Sequence, residues 1–226
     1  MPQEFKIITK RNRLTVRFNY VIFPIVTGEI QNALAETSTG YALIPPPKTS
    51  PTPVGTSLDW NGPIARKENV IIDFDSLTQV IGVDGKDATE SLNVFSEVLD
   101  IIKASIDSTI DDHAHFYELI SNYSIETGED PLERLEKIKL GGELYGKIKE
   151  IIQEPVSTYN FHICSPEKRI QSTDWFDINI RPATRRSTKA FDVMTVYRSK
   201  DKSKVDKFTN NYDDYIRKIF DELNKV

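Results

Sequence analysis

The feature that most constrains this chain is a change of period near Arg198. From Asp174 to Ile180 apolar and polar side chains alternate, with Phe176, Ile178 and Ile180 on one face and Trp175, Asp177 and Asn179 on the other. A second alternating run places Phe191, Val193, Thr195 and Tyr197 on one face. Successive side chains of a strand point to opposite faces, so both runs read as half-buried strands. Beyond Arg198 the apolar spacing becomes that of a helix, about 3.6 residues per turn. Val205, Phe208, Tyr212, Ile216, Ile219 and Leu223 fall on one side of it, so residues 203–224 read as one amphipathic helix. A hairpin feeding a helix closes the chain, and its connection, Arg181 to Lys189, is basic.

The same two periods organise the rest. Leu14, Val16, Phe18, Tyr20 and Ile22 alternate with polar neighbours, so residues 13–23 read as a strand that Pro24 ends. A short helix over 27–38 and a short strand at 41–44 follow. Residues 45–57 carry five prolines among lysine, serine and threonine and read as an exposed, extended loop. Trp60-Asn61-Gly62-Pro63 reads as a turn, and 70–75 and 78–83 as strands. Asp87, with Glu90 three residues later, is a capping-box start for a helix whose stripe is Leu92, Phe95, Val98, Leu99, Ile102 and Ile106. A strand at 115–125 comes next. A helix then opens at Pro131, is interrupted at Gly141-Gly142 and resumes to Pro155, before a strand at 159–164.

Strands follow one another through turns while helices arrive in isolated blocks. That pattern predicts an α+β fold, a mainly antiparallel sheet with helices packed on one face. Each half of the chain runs strand, helical material, more strands and a long helix. By analogy this plan is a saddle-like or helix-grip arrangement of two loosely similar halves. No linker divides them, and a single α+β domain over 1–226 is the expectation.

Composition narrows the function classes. The net charge of -5 argues against a general nucleic-acid coat, which is usually basic overall. No apolar run reaches the roughly 20 residues that span a bilayer. The one cysteine, Cys164, suits a reducing compartment, so a cytoplasmic protein with no membrane partner is expected.

The motifs that would carry chemistry are few. His113 and His115, like His162 and Cys164, are spaced i, i+2 and would share a strand face. If their strands were neighbours, the four could hold zinc, which prefers tetrahedral nitrogen and sulfur ligands. Asp73 and Asp75 share a strand face and offer carboxylates for magnesium or acid–base work. Gly82-Val-Asp-Gly85-Lys86 lacks phosphate-loop spacing, and no G-x-S-x-G elbow exists.

The remaining signal is positive charge. Arg181, Arg185, Arg186 and Lys189 lie in the hairpin connection, and Arg198, Lys200, Lys202 and Lys204 lie where the last strand turns into the helix. Arginine forks suit carboxylate or phosphate. The expected function is therefore a non-catalytic binding or assembly module that contacts an acidic partner, Arg181, Arg185, Arg186, Lys189 and Arg198 being its contact residues. Outward-facing Trp175 and Val196 make a second copy of the chain a candidate partner. A zinc or magnesium enzyme and a nucleic-acid-binding protein are the competing readings.

Overall fold

The structure is a computed structural model. It describes residues 5–19, 27–37, 40–45, 61–128, 130–137, 147, 150–151, 153, 159–166, 172–183 and 189–223. Among them one nine-stranded antiparallel sheet carries five α-helices, as the α+β pattern anticipates. The strands are β1 Lys6–Phe18, β2 Ala42–Leu43, β3 Asn61–Lys67, β4 Val70–Asp75, β5 Val80–Gly85, β6 Ala114–Glu126, β7 Phe161–Cys164, β8 Trp175–Pro182 and β9 Ala190–Ser199. The helices are α1 Thr27–Glu36, α2 Ala88–Ser105, α3 Pro131–Lys137, α4 Lys202–Asn210 and α5 Tyr212–Leu223. A short 3-10 turn, Ile110–His113, precedes β6.

The sheet order is β2-β3-β4-β5-β1-β6-β9-β8-β7. Read outward from the centre, each half places its first strand innermost, its last strand next and its earlier strands toward the rim. The halves therefore correspond: β1 with β6, β5 with β9, β4 with β8, and α2 with α4. The register makes this correspondence exact at the level of residues. Gly85 ends β5 opposite Asn12 and is followed two residues later by Asp87, the α2 cap. Ser199 ends β9 opposite Tyr117 and is followed two residues later by Asp201, the α4 cap. Superposing these two positions carries Leu14 onto Leu119, and those two residues face each other across the β1–β6 pair. A pseudo-twofold axis thus passes between Leu14 and Leu119.

All five helices contribute to one hydrophobic cluster on one face of the sheet. Ile30 and Leu34 of α1, Phe95 and Val98 of α2, Leu135 of α3, Val205 of α4, and Ile216 and Phe220 of α5 belong to it, together with Leu14, Ile72, Val83, Leu119 and Val193 from the strands. Helix caps fix the entry angles: the Asp87 carboxylate accepts the Glu90 N–H at 2.8 Å, and Asp201 accepts Ser203 at 2.9 Å. The closing helix is two helices. It breaks at Asn211, whose N–H reaches back to the Lys207 and Phe208 carbonyls, and the apolar stripe resumes at Tyr212. Buried Tyr212 then donates to Thr195 Oγ1 at 2.7 Å, docking α5 on β9.

Two further elements differ from the sequence reading. β1 begins at Lys6, earlier than the alternation suggests, and Asn61-Gly62-Pro63 opens β3 in place of a turn. Residues 20–26, most of the proline-rich segment and the Gly141-Gly142 break lie outside the described residues. No helix among the described residues is long and apolar enough to cross a membrane.

Candidate functional site

On the face opposite the helices, alternation exposes a second set of side chains. Arg11 and Arg13 of β1, Asp73 of β4, Asp84 of β5, Glu118 of β6, Arg198 of β9 and Asp177 of β8 all belong to it, because their strand neighbours are in the core. Most of these charges are spent on one another. Arg11 grips Asp84 through Nε at 2.9 Å and Nη2 at 2.5 Å, and Arg13 meets Asp73 at 2.6 Å. Arg198 meets Glu118 at 2.5 Å, with both side chains largely buried. His162 Nε2 lies 2.7 Å from Asp177 Oδ2.

Gly82 stands under the Arg13–Asp73 pair. A Cβ built there would come within 2.6 Å of Asp73 Oδ1 and 2.9 Å of Arg13 Nη2, so the missing side chain is what lets the pair lie flat on the sheet. Burial holds the Asp73 carboxyl above its ordinary range, and the nearby Asp84 charge adds to this, against the opposing pull of Arg13.

Hollows lined by described residues indent this face, one over each half. The larger, about 660 Å³, crosses β1, β6, β9 and β8 and is lined by Arg11, Asn122, Ser124, Tyr159, Arg181, Asp192 and Met194 among others. Ser124 donates to Asp192 at 2.6 Å. Arg181 stands directly opposite Asp192 in the register, but its side chain makes no hydrogen bond or ion pair among the described residues. Met194 remains 47% exposed, which is high for a large apolar side chain in the middle of a sheet. The second hollow, about 500 Å³, lies over the other half, between Arg13, Asp73, Pro63 and Ile71.

The zinc arrangement is not assembled. β6 and β7 are separated in the sheet by β9 and β8, three strand spacings of about 4.8 Å each. His113 is not on the strand at all: it ends the 3-10 turn, its carbonyl accepts the Asn19 N–H, and its ring lies near Asp107 and Thr109. His115 is the extra residue of a bulge, since Arg17 pairs with Phe116 and Phe18 with Ala114. His162 turns to Asp177, and Cys164 is a free, half-buried thiol on the rim strand. Among the described residues no group of three or more His, Cys, Asp or Glu side chains is placed to hold a metal ion. The Asp73/Asp75 pair shares a face as expected, but each carboxylate has its own partners: Arg13 for Asp73, and the Leu77 and Thr78 amides for Asp75.

The two basic rims stay apart. Arg181 pairs in register with Asp192 and Arg198 with Trp175, so the cations sit about 20 Å apart along the ladder at roughly 3.4 Å per residue. Arg185 and Arg186 lie outside the described residues. Lys189 flanks β9 at the Arg181 end, where its carbonyl accepts the Thr127 amide. At the far end Lys202 is occupied by Asp206 and Ser96. Sequence reasoning missed Arg11, Asn122 and Met194, because only the strand order brings β1, β6 and β9 side by side. No protein-family model matches the chain, and no curated protein matches it significantly in sequence.

Proposed function

We propose that this chain is a non-catalytic binding module that holds an acidic protein partner against the uncovered face of its sheet, at the hollow beside Arg181. The carrying observation is an arginine with no partner among the described residues, set in a hollow of about 660 Å³ beside an exposed methionine. An arginine fork there offers paired N–H donors to a carboxylate, Asn122 offers an amide, and Met194 and Tyr159 offer apolar contact.

The neutralised middle of the face favours a protein over a nucleic acid. Tracking a phosphate backbone requires a stripe of available cations, and here Arg11, Arg13 and Arg198 are each engaged by a carboxylate. A second copy of this chain, net charge -5, is itself an acidic partner.

The test is fluorescence anisotropy with a labelled peptide of alternating glutamate and leucine, against the full chain and Arg181→Gln. Saturable binding that weakens about tenfold in the variant is expected, the loss of one charge-assisted contact worth about 1.4 kcal/mol. Equal binding by both proteins, or none by either, overturns the proposal. Light scattering of the purified chain tells whether the partner is a second copy.

A further inference from the structure

At the opposite end of the central strands the register lines up a second group of cations. Arg17 of β1 pairs with Phe116 of β6. On the other side of β6, Tyr117 pairs with Ser199, which brings Lys200 to the next position, level with Phe116. Arg17 and Lys200 therefore flank Phe116 from its two neighbouring strands, about 10 Å apart at two strand spacings. The bulge inserts His115 at this point, with its ring 5.4 Å from that of Phe116. Among the described residues the side chains of Arg17, Lys200 and His115 make no hydrogen bond or ion pair. Glu118, on this face two residues along β6 from Phe116, is occupied by Arg198. Arg198 in turn lies 4.2 Å above the Phe116 ring and 5.9 Å from that of Trp175, whose buried indole N–H has no acceptor. The segment that continues from β1, residues 20–26, contains no acidic residue.

We propose that Arg17, His115 and Lys200 form a phosphoryl-binding site on the bulged end of the central strands. Two cations facing each other across an aromatic floor, with an imidazole between them, would surround a tetrahedral oxyanion with donors from three sides. A bulge is a recognised device for re-aiming one side chain out of the ladder. The electrostatics agree: partial burial, then the fields of Arg17, Lys200 and Arg198, hold the His115 imidazolium below its ordinary range. An arriving dianion reverses that field, so ligand and proton bind together. The site is separate from the Arg181 hollow and does not depend on it.

The experiment is an NMR titration of the histidine ring protons of the full chain with inorganic phosphate and, separately, with a nucleoside 5′-monophosphate. His115→Gln assigns the signals. The expected result is saturable movement of the His115 signals alone and a rise in its titration midpoint with phosphate present. Arg17→Gln combined with Lys200→Gln should weaken binding at least tenfold, while Arg181→Gln leaves it unchanged. Equal affinities for the two ligands identify free phosphate as sufficient, and tighter binding of the monophosphate shows that the nucleoside adds contacts of its own. His115 signals that do not respond, or that respond equally in the double variant (an adventitious ion only), overturn the proposal. Circular dichroism of the double variant confirms that it is folded, since both substitutions are at exposed positions.

Discussion

Leu14 of β1 and Leu119 of β6 face each other across the central strand pair, both fully buried, and each occupies in its own half the position that the other occupies in the partner half. The scaffold thus solves one packing problem twice, with α2 covering one half and α4 and α5 the other.

This equivalence gives a first prediction. Leu14→Ala and Leu119→Ala should each cost about 2–5 kcal/mol, the range for a fully buried leucine. Because the two residues stand directly opposite each other in the ladder, the double variant should lose less than the sum of the single losses. Urea unfolding of all four proteins measures this, and strictly additive costs would show that the halves pack independently.

A second prediction concerns the end of β5. A Cβ on Gly85 would overlap Ser91 Oγ and fall 3.2 Å from Val70 Cγ2, while the Ser91 hydroxyl is buried without a partner. Gly85→Ala should therefore destabilise by about 1–3 kcal/mol through overpacking. Ser91→Ala alone should be neutral or stabilising, since it removes an unsatisfied buried hydroxyl. Combining the two should recover much of the Gly85→Ala loss. Failure of Ser91→Ala to rescue would place the strain at Val70.

The strong periodic segments were legible in the sequence for a physical reason. β4, β8, β9 and α2 each bury most of one face, so their apolar spacing reports their geometry directly, and the Asp87 cap announces where α2 starts. β1 was under-read because Lys6 to Arg13 is mostly polar. Cross-strand pairing with carboxylates makes such residues compatible with a strand, and a one-dimensional pattern does not show partners. Gly62 and Pro63 are turn residues by propensity, yet they sit in β3 beside a register shift at Ile64, next to the short rim strand β2, where a proline costs the ladder little. The zinc pattern failed for a different reason: the C-terminal hairpin inserts β9 and β8 between β6 and β7, and strand order is not written in alternation.

The third prediction is a pH dependence. Asp213 of α5 accepts the Tyr123 hydroxyl at 2.7 Å and pairs with Lys10, tying the last helix to both central strands. Burial works to raise its carboxyl, but these two partners outweigh burial and the group lies below its ordinary range. A depressed carboxyl stabilises the fold above the unfolded pKa, about 3.9, and that contribution disappears as pH falls through the lower folded value. Asp213→Asn should therefore have a lower urea midpoint than the unsubstituted chain at pH 6, and the gap should narrow below about pH 4. A gap that is constant with pH would show that the carboxylate charge is not what holds α5 down.

The twofold relation that carries Leu14 onto Leu119 also carries Arg13 onto Glu118 and Asp84 onto Arg198. At these matched sites on the uncovered face, cation replaces anion and anion replaces cation. The backbone is near-symmetric while this part of its charge pattern changes sign under the same rotation. A partner turned end for end would meet like charge where it had met opposite charge. The uncovered face has a head and a tail, and a segment docked on it would have one preferred direction along it.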